Sequence, residues 1–367
     1  MKEIYLKETR ESVSTCTERA PQEREREREA AAHLGDKLDV LVLTYNRSRF
    51  LKIQLQSLCE QTLQGFKITV LNNCSTDDTL QVIEEIKEEY PLRDIQVITN
   101  EKNLGNPGNF IRSQSIPTRE YVAVFHDDDA VHPEYLELAM KLFNTHEDLV
   151  LVCCASDTRY NVTCDNWPAG FNREYFLYPK NEVFLQFLCS RPNFATDVYR
   201  TEAYKKAEYH PELFGKLHDI CFVCDIAKSG SVAVSNTYGL RYRVHAGSDS
   251  QSYNTGPFKN EVINVCAYIK SLIKEQYPLW APLLWNFMFF LYKWSKINTY
   301  MGWSDFVSEM EFDTKIFKGA SLEMEPLFTE KQITQFSNRR IMDRRYNAKI
   351  VKDAEKARTA RRNQLCD

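Results

Sequence analysis

The chain lacks a hydrophobic run long enough to cross a bilayer. Its most apolar helical stretch, 279–292, falls short of the roughly 20 residues that a spanning helix needs. It also lacks a disulfide framework: its 11 cysteines are odd in number and scattered, which fits a reducing compartment. Cys221 and Cys224 form the only CxxC, with no second pair and no flanking histidine pattern, so core positions three apart on a helix explain them better than zinc or redox chemistry. Cys153 and Cys154 fall in an apolar strand pattern and read as core. No apolar leader follows Met1, where the residues are mostly charged, and the expectation is a cytoplasmic chain. Positive charge is not in excess either; a net charge of −4 argues against a general nucleic-acid binder. There is no internal repeat. What remains is ordinary for a soluble globular protein: 43% hydrophobic and 27% charged residues, over a length of 367 that suits one large or two modest domains.

Residues 1–36 read as a charged appendage, because 23–29 alternate Glu and Arg without an apolar face. From residue 38 the pattern alternates. Strands are expected at 38–43, 66–71, 95–98, 121–125 and 149–155, with helices at 49–60, 76–89 and 134–144 and another after the Gly/Asn-rich loop 103–109. In the second helix Leu80, Ile83 and Ile86 form the apolar face, with Thr76 or Asp77 as its cap. Such alternation predicts an α/β fold: a mostly parallel central sheet with helices on both faces. The main domain is expected over 37–255, with halves 37–155 and 156–255, followed by a helical C-terminal region, 256–367, with a basic tail. In the second half an amphipathic stretch at 212–230 precedes a short strand at 231–234 and a segment at 238–245. The aromatic run 279–292 suits a core helix, an oligomer contact or a membrane-surface patch. The Lys/Arg-rich residues 339–362 read as a solvated helix or as a contact to anionic lipid.

Chemistry gathers at the ends of the expected strands. Tyr121 to Phe125 are apolar and run directly into Asp127, Asp128 and Asp129. A packed interior does not tolerate unpaired carboxylates, so these belong at the strand end, where open α/β sheets bind ligands. Adjacent carboxylates repel unless a cation relieves them, and hard divalent metals take oxygen ligands. A solvated acidic turn ahead of a helix near Pro133 is the alternative. The second strand ends in Asn72 and Asn73, whose amides could read a base edge, while Ser75, Thr76 and Asp77 suit helix capping.

Four segments in order carry a resemblance: Leu43-Thr44-Tyr45-Asn46-Arg47 after the first strand, Asn72 to Thr79 after the second, Asn103 to Asn109 after the third, and the three aspartates with Pro133 after the fourth. Together they resemble glycosyltransferase family 2, with its GT-A nucleotide-sugar-binding fold. The likeness is clearest over 38–155, continues more weakly to about 252, and covers neither the N-terminal arm nor the C-terminal third. It implies inverting transfer of a sugar from a nucleotide diphosphate donor, with UDP preferred, to a hydroxyl of a saccharide or lipid-linked acceptor, as in polysaccharide biosynthesis. The implied donor-binding residues are Thr44, Tyr45, Asn46, Arg47, Asn73, Asn103, Asp127 and Arg243, with Gly105 and Asn109 lining the same pocket. Asp128 and His245 would hold Mn2+ or Mg2+. The implied catalytic base is Asp219, the second member of an acidic pair whose first member is His218 here; helix capping is its other reading. Two departures stand out: Asn72 and Asn73 occupy positions where the family often has Asp, and His126 stands where its acidic motif begins. His126 either ligates the metal or packs at the strand end.

Two other classes remain in view. A sugar nucleotidyltransferase would need a Gly-rich loop with a basic residue near the first strand, and 43–50 has none. A catalytically inactive carbohydrate-binding or scaffold protein on the same fold is opposed by the intact Asp127, Asp128 and Asp219. The resemblance also implies work at the inner face of a membrane; the aromatic run and basic tail fit a peripheral contact there or a homo-oligomer contact, and the net charge speaks against a nucleic-acid partner.

Overall fold

The computed structural model describes residues 33–167, 171, 173–181, 194–245, 258–276 and 278. The chain divides into two compact units. One comprises Lys2–Phe184 with Pro192–Gln276, and the other comprises Met1, Leu185–Arg191 and Tyr277–Asp367. The expectations for most of the N-terminal arm, the aromatic run 279–292 and the basic tail 339–362 lie outside the described residues. No helix among the described residues is long and apolar enough to cross a membrane.

The larger unit is built on one nine-stranded sheet in the order β3 (Asp94–Thr99), β2 (Lys67–Asn72), β1 (Leu38–Thr44), β4 (Tyr121–His126), β8 (Val198–Arg200), β6 (Leu149–Arg159), β9 (Ser231–Arg243) and β5 (Ala130–Val131), with β7 (Tyr175–Tyr178) also paired to β9. Its first half is parallel. β1 (Leu38–Thr44) lies between β2 (Lys67–Asn72) and β4 (Tyr121–His126), and β3 (Asp94–Thr99) is at the edge. Every residue of β1 is buried, as a parallel strand covered on both faces requires. β8 (Val198–Arg200) runs antiparallel to both β4 and β6 (Leu149–Arg159), joining the parallel half to the rest. β9 (Ser231–Arg243) lies parallel to β6, with β5 (Ala130–Val131) and β7 (Tyr175–Tyr178) antiparallel to it. The sheet is thus mixed α/β and mostly parallel at the end that carries the motifs, as expected.

The helices follow the apolar spacing. α1 (Ser48–Cys59) buries Leu51, Leu55 and Leu58. α2 (Thr79–Glu89) starts later than expected, and its buried stripe is Thr79, Ile83 and Ile86. Leu80 is 49% exposed, because Thr79 takes the inward position of the first turn. Asp77 does serve the helix start: its Oδ1 accepts the Thr79 amide at 3.2 Å, and its Oδ2 accepts the Ser48 amide of α1 at 2.9 Å. One carboxylate therefore ties two helix N-termini together. α3 (Gly105–Ser113) begins inside the Gly/Asn loop, where Gly105 has φ +72°, a left-handed conformation that costs glycine little. α4 (Tyr135–Thr145) lies between β5 and β6 in sequence.

The second half departs more from expectation. The short strand and the following segment form a single strand, β9, whose pairing with β6 shifts register near Cys154 and Ala155. The amphipathic stretch is broken into α6 (Pro211–Phe214), a 3-10 turn (Gly215–Leu217) and α7 (His218–Ile226), after a short α5 (Thr201–Lys206). Gly215 has φ +50°, which interrupts the helical path. Cys221 and Cys224 are buried in α7, and Cys153 and Cys154 in β6, so all four pack as core. α8 (Phe258–Gln276) docks here, with Asn264 Nδ2 donating to the Leu213 carbonyl at 2.7 Å and Tyr268 against Phe214 at 5.6 Å.

Core burial supplies the stability. Leu41→Ala, at a fully buried position of β1, should cost about 2–5 kcal/mol. Leu92→Ala, at a 99% exposed side chain, should stay within about 0.5 kcal/mol. Urea unfolding of both variants checks the pair, and equal costs would contradict the assigned core.

Candidate functional site

The parallel register brings four strand ends to one edge. Thr44 pairs with Asn72, Asn72 with Thr99, and Leu43 with His126. Chain reversals just beyond these residues gather polar groups at this edge, the usual ligand edge of such sheets.

The three aspartates after β4 are all buried, at 2%, 7% and 1% exposure, and each is accommodated differently. Asp127 Oδ2 accepts the Thr44 hydroxyl at 2.8 Å and the Tyr45 amide at 3.2 Å, while its Oδ1 accepts Arg47 Nη1 at 3.1 Å. Burial, and then the charge of Asp128, push the Asp127 carboxyl above the ordinary range, with Arg47 and Thr44 opposing the shift. Asp128 Oδ2 faces Arg47 Nη1 at 3.1 Å and His245 Nε2 at 3.0 Å. Asp129 Oδ1 accepts the Arg243 amide at 2.9 Å, and its Oδ2 has no hydrogen-bond partner among the described residues. Burial and the neighbouring Asp128 hold the Asp129 carboxyl well above the usual range.

Arg243 is fixed rather than presented. Its Nε donates to the Asp128 carbonyl at 2.7 Å and its Nη2 to the Val162 carbonyl at 3.2 Å, while the guanidinium lies over the Phe50 ring at 4.5 Å. His245 packs against the same ring at 4.8 Å. β9 therefore delivers His245 to Asp128, and α1 delivers Phe50 and Arg47 to both. Tyr45, beside the Asp127 carboxylate, is 41% exposed.

Asn73 and Asn103 form a second group. Asn73 Nδ2 donates to Asn103 Oδ1 at 2.8 Å and to the Gly105 carbonyl at 3.2 Å, and its Oδ1 accepts Asn100 Nδ2 at 2.8 Å and the Leu104 amide at 2.9 Å. Two donors and two acceptor sites are thereby engaged, the full capacity of a side-chain amide. In this arrangement Asn73 braces the loop 100–105. Asn46, at φ +50°, turns away from the carboxylates and accepts the Thr76 amide at 2.7 Å.

His126 does not join the carboxylates. Its ring lies edge-on to Phe194 at 6.5 Å, and Phe194 in turn meets His218 at 6.3 Å. This row of rings brings the end of β4 beside the start of α7. There Asp219 occupies the first helical turn, and its Oδ1 accepts the Ile220 amide at 2.9 Å. His218 is held by the Gly215 carbonyl on Nδ1 at 2.5 Å and by the Tyr209 hydroxyl on Nε2. A carbonyl can only accept, so Nδ1 carries the proton, and in the neutral imidazole the tyrosine donates to Nε2.

Sequence reasoning missed Asp197. It follows a 3-10 turn (Phe194–Thr196), is fully buried, and accepts the Tyr199 hydroxyl at 2.8 Å on Oδ2, while Oδ1 has no partner among the described residues. An aspartate between Thr196 and the apolar Val198 was the available signal, but its partners come from the fold. Burial drives its pKa well above the ordinary range, with the Tyr199 hydroxyl opposing and the charge of Asp219 adding to the shift.

Asp128 and His245 also suit a divalent cation. Among the described residues no group of three or more His, Cys, Asp or Glu could hold a metal ion. One carboxylate, with phosphate oxygens and water completing the shell, fits Mg2+, and the neighbouring imidazole suits a softer ion such as Mn2+ better.

Residues 39–207 match the family model described as Glycosyl transferase family 2. Poly(ribitol-phosphate) beta-N-acetylglucosaminyltransferase TarS of Staphylococcus aureus is 32% identical over 118 residues, which cover 32% of this chain and 20% of that protein. The match thus spans about a fifth of the length of that curated relative. A crystal structure of S. aureus TarS in complex with UDP-GlcNAc is similar with a TM-score of 0.56 at 18% identity, covering 85% of this chain and 92% of that one. The mannosyltransferase PcManGT of Pyrobaculum calidifontis, in complex with GDP-Man and Mn2+, is similar with a TM-score of 0.50 at 12% identity, covering 85% and 82%. At these identities the two structures establish a shared GT-A fold.

The buried Asp197 yields a pH-dependent prediction. The unfolded chain ionises this group near about 3.9, whereas the folded chain does so only well above that value. The contribution of Asp197 to stability should therefore fall as pH rises above about 4, by ~1.4 kcal/mol per pH unit, until its folded pKa is reached. Asp197→Asn keeps an acceptor for Tyr199 and cannot ionise. It should be more stable than wild type at pH 7, with the gain shrinking toward pH 4 in urea unfolding. A gain that grows toward pH 4 would contradict this account.

Proposed function

We propose, from the premise that the chain belongs to glycosyl transferase family 2, that it is an inverting glycosyltransferase acting on a nucleotide diphosphate sugar. The observation that carries this reading is the convergence of Arg47 and His245 on the Asp128 carboxylate at the carboxyl end of β4. A buried acid with a cation on one side and an imidazole on the other is suited to a metal-bound diphosphate. Mn2+ or Mg2+, held there by Asp128 and His245, would neutralise charge developing on the departing diphosphate.

Thr44 and Tyr45 would flank the nucleoside. Asp127, oriented by the Thr44 hydroxyl and the Tyr45 amide, would approach the ribose. Arg47 sits where it can meet diphosphate oxygens. Asn73 contributes by shaping the loop of Asn103 and Gly105 rather than by offering an unshared amide. Arg243 holds the backbone of Asp128 in place. UDP is the favoured nucleotide, supported by the likeness to S. aureus TarS, whose structure holds UDP-GlcNAc. Divalent-metal use is supported by the Mn2+ in the P. calidifontis structure.

Inversion is a single displacement. An acceptor hydroxyl attacks the anomeric carbon as diphosphate leaves on the opposite side, and a carboxylate takes the hydroxyl proton. Asp219 is that base, at the start of α7 beside the row of rings that leads from β4. The acceptor is a hydroxyl of a saccharide or lipid-linked acceptor, a reading supported by the likeness to a poly(ribitol-phosphate) beta-N-acetylglucosaminyltransferase.

The test is release of UDP from a panel of UDP-sugars with Mn2+ or Mg2+, alongside a thermal-shift screen of the same donors, since a bound donor stabilises by mass action. At least one donor should be turned over, and Asp219→Asn should lower kcat by about 10²- to 10⁴-fold with little change in donor KM. No turnover and no stabilisation with any nucleotide sugar would overturn the proposal.

A further inference from the structure

Arg47 occupies the place where charge exchange must occur. Its Nη1 lies 3.1 Å from both Asp127 Oδ1 and Asp128 Oδ2, bridging two carboxylates with one nitrogen. The Arg47 side chain is 31% exposed, against 3% and 11% for the two acids, so the guanidinium covers them from the solvent side. Asp128 Oδ2 also faces His245 Nε2 at 3.0 Å. Two hydrogen bonds to one carboxylate oxygen use both of its in-plane lone-pair directions. Arg243, the other arginine at the cluster, is buried and holds backbone carbonyls, so Arg47 is the cation placed to move.

We propose that Arg47 is a built-in counter-cation that a divalent metal must displace from Asp128, so that metal and nucleotide diphosphate enter together rather than metal first. This rests on the donor-site reading given above. A bare divalent ion approaching Asp128 meets the guanidinium charge and must displace it without offering the arginine a new partner. That repulsion weakens binding of the ion alone. A diphosphate changes the balance, because its anionic oxygens accept from the guanidinium as well as a carboxylate does. Arg47 can then exchange its acids for phosphate while Asp128 turns to the metal. Metal and nucleotide therefore bind with positive coupling, and by linkage each strengthens the other by the same factor. The arrangement would also keep the cleft charge-balanced between turnovers.

The experiment is calorimetric titration of the full chain with Mn2+ alone, with Mn2+ at saturating UDP, and with UDP at saturating Mn2+. Wild type is compared with Arg47→Ala and with Arg47→Gln, which keeps much of the side-chain volume and removes the charge. Both variants should bind Mn2+ alone about tenfold or more tightly than wild type. They should also bind UDP in the presence of Mn2+ about tenfold less tightly, so that the coupling between the two ligands collapses. Asp128→Ala in the Arg47→Gln background should abolish the tightened Mn2+ site, which assigns it to this cluster. Unchanged or weaker Mn2+ affinity in both Arg47 variants, with UDP binding to wild type intact, overturns the proposal alone. Absence of UDP binding to wild type at any Mn2+ concentration overturns the donor-site reading and this proposal with it.

Discussion

Burial of three consecutive carboxylates at the end of one strand is the constraint on which the rest of this site depends. Asp127, Asp128 and Asp129 cannot all be ionised, close together and dry without compensation. The fold resolves the conflict in three ways. Asp127 is hydrogen-bonded by the end of β1 and paired with Arg47. Asp128 is shared between Arg47 and His245. Asp129, held well above the ordinary carboxylate range by burial, takes the amide of Arg243. Each solution recruits a different element, so the cluster ties β1, α1, β4 and β9 into one structure.

That recruitment explains features remote from the chemistry. β9 must be long enough to carry Arg243 and His245 back to β4, and its register shifts against β6 accommodate this path. Phe50 is placed between Arg243 and His245 by the start of α1, whose terminus is in turn held by Asp77. On the other flank the asparagines at 73, 100, 103 and 109 join the ends of β2 and β3 into a hydrogen-bonded wall. The ring row from His126 through Phe194 to His218 leads from β4 toward Asp219.

Much of this was legible before the fold was known. β1 to β4 announce themselves as apolar runs, and the polar residues following them mark the ligand edge, because strand direction alone fixes where those residues go. Thr44, Arg47, Asp127, Asp128 and His245 were foreseen, and they come together. Roles set by saturation of hydrogen bonds were not legible. Nothing in Asn73 or Arg243 as letters says that their polar atoms are taken up within the protein. β8 and β5 are too short to signal themselves, and their places come from pairing with distant strands. Asp197 was missed for the same reason: its burial is a property of the sheet junction, not of its neighbours in sequence. His126 resolves toward ring packing, with its imidazole turned to Phe194.

The central claim is that the Asp127–Asp129 cluster receives a metal-bound nucleotide diphosphate, and 31P relaxation of UDP tests it most directly. With a trace of Mn2+ and the wild-type chain, both phosphorus signals should broaden strongly. The broadening beyond that of free Mn2+–UDP should vanish with Asp128→Ala. Equal broadening with wild type and Asp128→Ala would contradict the account.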